Sequence, residues 1–171
     1  SGVEDIKHVE AMGVKEKAAF EERARFFRKE CKAKGKQASG NFNARLSRKA
    51  HSGTLNFDHD SETLSLTVGR NDQDESAAQT SDARNLSGGE RSFTTLSFEL
   101  AMWEFCQTPF RCLDEFDVYM DDTYRRQAVD TLMEICDSQQ DRQFLFVTPQ
   151  DMHPFLAKRR TEKDKTFPRI I

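Results

Sequence analysis

From residue 3 to residue 34 the chain has almost no helix breaker, and it carries apolar residues including Val9, Met12, Ala19, Phe20, Phe26 and Phe27 among many charged ones. The pattern predicts one long exposed helix. Its apolar spacing is too loose for a sustained heptad, so the pattern alone does not specify a coiled-coil partner. Gly35 and Gly40 predict a break, and Asn43 to Lys49 a short helix. From Gly53 the period changes to two. Leu55 and Phe57 alternate with polar neighbours, Asp58-His59-Asp60-Ser61 supplies a turn, and Leu64, Leu66 and Val68 alternate back, which predicts a β-hairpin. Residues 69–85 are polar and aperiodic and predict a mobile loop.

Helical spacing returns with Phe93, Leu96, Leu100 and Trp103, predicting a helix from Glu90 to about Cys106. A strand starting at Pro109 then carries Asp114 and Glu115. Asp121 or Asp122 caps a further helix lined by Val129, Leu132, Met133 and Cys136, and Gln143 to Val147 forms a buried strand. Helix, strand, helix and strand at these lengths argue for βαβ units and a mainly parallel sheet flanked by helices, an α/β fold. The acidic pair then falls at a strand's C-terminal end, where such sheets place ligands. Phe93, Phe110, Phe144 and Phe146 lie on these elements and are expected in the core rather than stacked on nucleic-acid bases.

With 171 residues, 36% hydrophobic and 32% charged, the chain is long enough for one domain plus a helical arm. No apolar run approaches the roughly 18 residues of a membrane span, and no charged-then-apolar leader opens the chain. A membrane-spanning or secreted protein is therefore not expected. A start at Ser1-Gly2 without Met is expected of a fragment. Cys31, Cys106, Cys112 and Cys136 lack zinc-ligand spacing, as do His8, His51, His59 and His153, and free thiols suit a reducing compartment, the nucleus or cytosol. The net charge of −3 hides an asymmetry. Residues 1–53 hold thirteen Lys and Arg against seven Asp and Glu, and the remainder holds thirteen against twenty-two. The basic front end, with Arg23, Arg25, Arg28 and Lys29, could attract a polyphosphate backbone, but interleaved Glu16, Glu21, Glu22 and Glu30 favour helical ion pairs on a solvated face.

Two short runs carry chemistry. Asn85-Leu86-Ser87-Gly88-Gly89-Glu90 places a hydroxyl and free backbone N–H groups at a helix N-terminus, where an anion is favoured. Cys112-Leu113-Asp114-Glu115 delivers one carboxylate suited to hold Mg²⁺ and a second suited to activate water. Each run alone is equally an ordinary turn or strand end; together they describe half of a nucleotide-hydrolysing site. Gly35 to Gly40 has the GxxxxG spacing of a phosphate loop, but Asn41-Phe42 follows where Lys-Ser/Thr is required, so it is read as a linker.

These motifs resemble the C-terminal half of an ATPase head of the structural maintenance of chromosomes (SMC) family, over about Asn41 to Phe155. Leu86-Ser87-Gly88-Gly89-Glu90 resembles the ABC-type signature motif, Cys112 to Glu115 a Walker B strand, and Asp117 to Asp121 the D-loop that follows. Ser92-Phe93, Ala101 to Glu104, Pro109 to Asp121 and Thr148 to Met152 look most like the family's branch numbered six, which belongs to the DNA-repair complex rather than to cohesin or condensin.

The resemblance implies a fold, an ABC-type P-loop NTPase half-head, in three parts: residues 1–35 as the end of a coiled-coil arm, 36–157 as the C-terminal lobe, and 158–171 as a basic tail. It also implies roles. Ser87, Gly88 and Gly89, with Leu86 and Glu90 beside them, would bind the γ-phosphate end of ATP held by an opposing head. Asp114 would bind Mg²⁺, Glu115 would act as the catalytic base, and Asp121 would lie at the dimer interface, with Arg91 supporting the signature helix. Implied cofactors are ATP and Mg²⁺. Implied partners are the N-terminal lobe of the same protein, a second SMC head in a heterodimer, kleisin-type and other non-SMC subunits, and DNA, with no membrane, in the nucleus on the chromosome.

Where many ABC-type sites carry a switch histidine, this chain has Thr148-Pro149, and Thr148 is one candidate substitute. The alternatives are a Rad50-type or ABC-transporter ATPase domain, and a non-catalytic scaffold that binds protein or DNA through the long helix.

Overall fold

A computed structural model describes residues 2–48, 51–70, 81–82 and 86–154. The described elements are α1 (Gly2–Ser47), β1 (His51–Asp58), β2 (Thr63–Arg70), β3 (Ser81–Asp82), α2 (Gly88–Trp103), β4 (Phe110–Asp114), α3 (Asp122–Ser138) and β5 (Gln143–Val147). Residues 71–80, 83–85 and the expected tail at 158–171 lie outside them.

The break expected over residues 35–40 does not occur, and the short helix expected after it is the end of α1. A glycine in a helix costs only about 1 kcal/mol relative to alanine. Against that, Ala38, Phe42 and Leu46, spaced four apart on one face, are 1%, 0% and 1% exposed. Burying the two large side chains contributes roughly 1.5–3 kcal/mol each, which outweighs the glycines. Gly35 also has a packing role, since a Cβ there would stand 3.1 Å from the Phe57 ring. The first thirty residues of the helix behave differently, leaving Val3, Ile6, Val9, Val14, Phe20 and Phe27 exposed.

The buried end of α1 lies along the outer edge of β1. Asn43 Oδ1 accepts from the Gly53 N–H at 2.9 Å, and Ser39 Oγ accepts from the Leu55 N–H at 3.0 Å. Two polar side chains one turn apart thus satisfy edge groups that would otherwise be unpaired. Gly53 permits this approach, because a Cβ there would fall 2.4 Å from Leu46 and 2.5 Å from Phe42. The hairpin pairs β1 with β2 from His51↔Arg70 to Asp58↔Thr63, so it begins two residues before Gly53. Within the segment expected to be loop, Ser81–Asp82 adds a two-residue antiparallel strand against Thr67 and Val68.

Helix α2 starts at Gly88 and packs Phe93, Leu96 and Leu100 inward, tied to α1 by Arg45, which donates to the Leu100 carbonyl and pairs with Glu104. β4 and β5 pair in parallel from Phe110↔Gln143 to Asp114↔Val147, joined by α3. The parallel sheet is smaller than expected: among the described residues it is this single pair, and the larger sheet is antiparallel. Parallel pairing needs a long crossover, and α3 is the one helix that connects two described strands of this kind.

Phe110, expected in the core, is 67% exposed, as are Leu145 at 53% and Val147 at 47%. They share one face of the sheet with Cys112. The opposite face carries Leu113, Phe144 and Phe146, together with buried Arg111, which donates to the carbonyls of Trp103 and Cys106 at 2.9 and 2.6 Å and lies over the Trp103 ring. Parallel sheets are ordinarily covered on both sides. The described residues cover this one on a single side.

Candidate functional site

The turn before α2 is held by a reciprocal capping box. Ser87 Oγ accepts from the Glu90 N–H at 3.3 Å, and Glu90 Oε2 accepts from the Ser87 N–H at 2.8 Å. Glu90 is 6% exposed and its other oxygen faces His51 Nε2 at 3.4 Å. Leu86 is 8% exposed and faces the core. These two residues, expected to help bind nucleotide, are buried in supporting the turn, whereas Ser87 and Gly88 are exposed and Gly89 is half-buried. The N–H groups of the first turn have no acceptor within the helix, so an anion placed there would meet the positive end of the α2 dipole.

Strand β4 ends at Asp114, opposite Val147, and Glu115 follows just beyond it. The Glu115 N–H donates to the Val147 carbonyl at 2.8 Å, so the chain stays pinned to β5 as it leaves the sheet. Glu115 has φ 51°, in the left-handed region that a non-glycine residue seldom adopts. Both carboxylates are exposed and line a cleft of about 520 Å³ whose other wall is the face of α2 bearing Arg91, Ser92, Thr95 and Glu99. Desolvation raises the Glu99 carboxyl above its ordinary value.

The geometry therefore brings Asp114 and Glu115 together in one cleft and leaves Ser87, Gly88 and Gly89 outside it. The turn instead adjoins the segment after Glu115. A Cβ on Gly89 would stand 3.5 Å from the Tyr119 carbonyl and 3.8 Å from the Asp121 nitrogen. Asp121, rather than Asp122, caps α3: its Oδ1 accepts from the N–H groups of Thr123 and Tyr124, both at 2.9 Å. Asp121 is exposed, and its backbone nitrogen adjoins the signature-like turn.

Asp117, three residues past Asp114, is 0% exposed, and its Oδ1 accepts from the Thr148 hydroxyl at 2.6 Å. Thr148 thus spends its one proton on Asp117. Sequence reasoning placed Asp117 only within a loop motif and missed this contact, because no local pattern links residues 31 positions apart.

Mg²⁺ prefers hard oxygen ligands and usually keeps several waters. An exposed Asp114 at the mouth of an open cleft fits one such ligand, with phosphate and water supplying others. Among the described residues no group of three or more His, Cys, Asp or Glu side chains is arranged to hold a metal alone. No described helix is long and apolar enough to cross a membrane.

No family model matches the chain. It is 50% identical over 111 residues to structural maintenance of chromosomes protein 6 of Homo sapiens, an alignment covering 65% of this chain and 10% of that protein. A crystal structure of the Smc head domain with an extended coiled coil, bound to the C-terminal domain of ScpA, from Pyrococcus furiosus, superimposes with a TM-score of 0.57 at 25% identity, over 77% of this chain and 31% of that one. A structure from work on ATP-driven dimerisation and DNA-stimulated activation of SMC ATPases shares the fold at a TM-score of 0.55 and 24% identity, over 68% of this chain and 69% of that one. The chain spans about a tenth of the length of the curated relatives it matches. It belongs to the structural maintenance of chromosomes family, as the C-terminal half of an ATPase head, and is most like the family's protein 6.

Proposed function

We propose that this chain is the lobe of an SMC head that binds ATP across a pair of heads and hydrolyses it, driving DNA entrapment or movement in chromosome maintenance and repair. The supporting observation is the separation of the two motifs. Asp114 and Glu115 line one cleft, while the capped Ser87-Gly88-Gly89 turn and Asp121, which adjoin one another, do not line it. A molecule that lends acidic groups to one nucleotide and a helix N-terminus to another needs this division.

In that reading Asp114 is the protein ligand of Mg²⁺, which would neutralise phosphate charge when bound. Glu115 orients the attacking water and accepts its proton from the end of β4. Ser87, Gly88 and Gly89 present a hydroxyl and backbone N–H groups to the terminal phosphate of ATP on the opposing head, with Leu86 and Glu90 holding that turn from beneath. Asp121 lies at the head–head contact.

Residues 36–157 form the lobe, 1–35 the end of an arm and 158–171 a basic tail. The change from exposed to buried side chains at Ala38 supports the first boundary. The N-terminal lobe of the same protein covers the bare face of β4 and β5, because Phe110, Leu145 and Val147 need an apolar layer. A second SMC head completes the site. Kleisin-type and other non-SMC subunits and DNA are the remaining partners, in the nucleus on the chromosome; the similarity to an Smc head bound to the C-terminal domain of ScpA supports the kleisin.

The test is Glu115→Gln in the full protein paired with its partner head. ATP-dependent head engagement should persist while turnover falls by more than about tenfold, since a general base contributes about 10²–10⁴-fold. Unchanged turnover would remove Glu115 from this role.

A further inference from the structure

The roles above leave the buried Asp117 unused. Besides the Thr148 hydroxyl, its carboxylate faces Arg125 of α3, whose Nε lies 3.5 Å from Asp117 Oδ2. Arg125 also donates to the Met120 carbonyl and to Asp122, both at 3.1 Å. Thr148 in turn accepts from the Gln150 N–H at 3.1 Å. A fully buried carboxylate is strongly disfavoured unless a donor or cation faces it, so these contacts are what lets Asp117 occupy the interior.

Their position gives them a consequence for the site. Residues 115–121 leave the sheet at Glu115 and enter α3 at Asp121. The segment is pinned at its start by the bond from the Glu115 N–H to the Val147 carbonyl. Two residues further on Asp117 is bonded to Thr148, the residue after Val147, and from the other side it is paired with α3. Turn bonds from Val118 N–H to the Glu115 carbonyl and from Met120 N–H to the Asp117 carbonyl close the segment on itself. Glu115 is thus a residue in an unfavourable left-handed conformation, held by fixed points on both sides.

We propose that Thr148 is a positioning residue: through its hydrogen bond to buried Asp117, braced by Arg125, it fixes the backbone that aims Glu115 into the cleft. The inference rests on the proposed hydrolytic role of Glu115. It excludes Thr148 as a phosphate ligand. A phosphate oxygen needs a donor; the single Thr148 proton goes to Asp117, and the oxygen already accepts from Gln150, so an incoming phosphate would meet lone pairs.

The experiment uses the full protein with its partner head and compares Thr148→Val, which keeps the shape and removes the hydroxyl, with Thr148→Ser, which keeps the hydroxyl. Displacing a catalytic group by about 1 Å lowers rates by up to about a hundredfold. Thr148→Val is therefore expected to lower kcat by roughly tenfold or more, leaving KM for ATP and ATP-dependent head engagement within about twofold, while Thr148→Ser keeps kcat within about twofold of the parent. Added to Glu115→Gln, Thr148→Val should lower turnover no further, because both act through one group. If Thr148→Val does not fold, Thr148→Cys, with its weak donor, should show the same loss confined to kcat.

A raised KM with unchanged kcat would instead mark a phosphate contact and overturn the inference. So would additive losses in the double variant, failure of serine to restore turnover, or unchanged kinetics in Thr148→Val. If Glu115→Gln abolishes turnover while Thr148→Val leaves it intact, this inference alone fails. If Glu115→Gln leaves turnover intact, the hydrolytic reading beneath it fails.

Discussion

The left-handed backbone at Glu115 allows its conformation and its chemistry to be measured apart. Holding a non-glycine residue in that region costs roughly 1–2 kcal/mol. Glycine removes the penalty but adds unfolded-state freedom worth about 0.4–1 kcal/mol. The side chain is exposed, so truncation empties no packed space, and the bond from its N–H to the Val147 carbonyl survives any substitution but proline. Glu115→Gly should therefore be more stable than Glu115→Ala by about 0.5–1 kcal/mol, the difference between those two effects. For a domain of this size that corresponds to about 1–4 °C in melting temperature. The assay is thermal unfolding of both variants in the full protein, beside ATP turnover, which both should lose. A Glu115→Gly protein that melts no higher than Glu115→Ala would refute the argument that the site stores strain. The expected result means that the position keeps a carboxylate against its own backbone preference, which is how strain retained for function differs from strain imposed by packing.

Gly53→Ala should lower the melting temperature, because its Cβ would fall 2.4–2.5 Å from fully buried Leu46 and Phe42, an overpacking worth about 1–3 kcal/mol; Gly40→Ala, with nothing within 4 Å, should raise stability by about 0.5–1 kcal/mol, and thermal unfolding that reversed the two signs would contradict the packing of α1 on β1. Glu99→Gln should change stability with pH. Desolvation raises the folded-state pKa, so the native protein holds this proton more tightly than the unfolded chain, and its contribution is full below the ordinary value of 4.5 and lost as pH rises through the raised value. The glutamine variant should thus melt higher than the parent at pH 8 and little differently at pH 4.5, and a lower melting point at pH 8 would contradict the sign. Gly88→Ala and Gly89→Ala should leave the melting temperature unchanged or higher yet weaken ATP-dependent head engagement, measured by cross-linking, and a loss of folding in either would contradict the geometry.

Elements with a local signal were legible in the sequence. The spacing of Phe93, Leu96 and Leu100 marked α2, and alternation from Leu55 to Val68 marked the hairpin, because both periods follow directly from which face is buried. Ser87 and Glu90 also fit the S-x-x-E capping box, a signal in plain sight that explains why Glu90 is buried and bonded rather than presented to a ligand. What escaped depends on distant partners. The continuity of α1 through Gly35 and Gly40 is decided by Phe42 and Leu46 meeting β1, and Phe110 is exposed because the described residues place a layer on one face only of its strand. The bond from Thr148 to Asp117 joins the end of one strand to the loop after another, and neither residue's neighbours announce it. The strand pattern predicts the acidic pair at the end of β4, where Asp114 and Glu115 lie, whereas the left-handed backbone of Glu115 and the partial burial that raises the Glu99 carboxyl are properties of packing.

Gly88 and Gly89 pose the sharpest question about why this turn has its sequence. Neither adopts a positive φ. An added Cβ at Gly88 would meet nothing within 4 Å, and one at Gly89 would make ordinary contacts of 3.4 Å with Tyr124 and 3.5 Å with the Tyr119 carbonyl. Both residues lie in a helix, where alanine is favoured over glycine by up to about 1 kcal/mol. Neither sterics, nor backbone conformation, nor helix propensity within this chain asks for glycine at either position. An external group that must approach the backbone N–H groups closely does ask for it, since a methyl group would stand in its path. The fold tolerates substitution where the proposed chemistry does not, so stability and head engagement should part company at these two residues and stay coupled at Gly53.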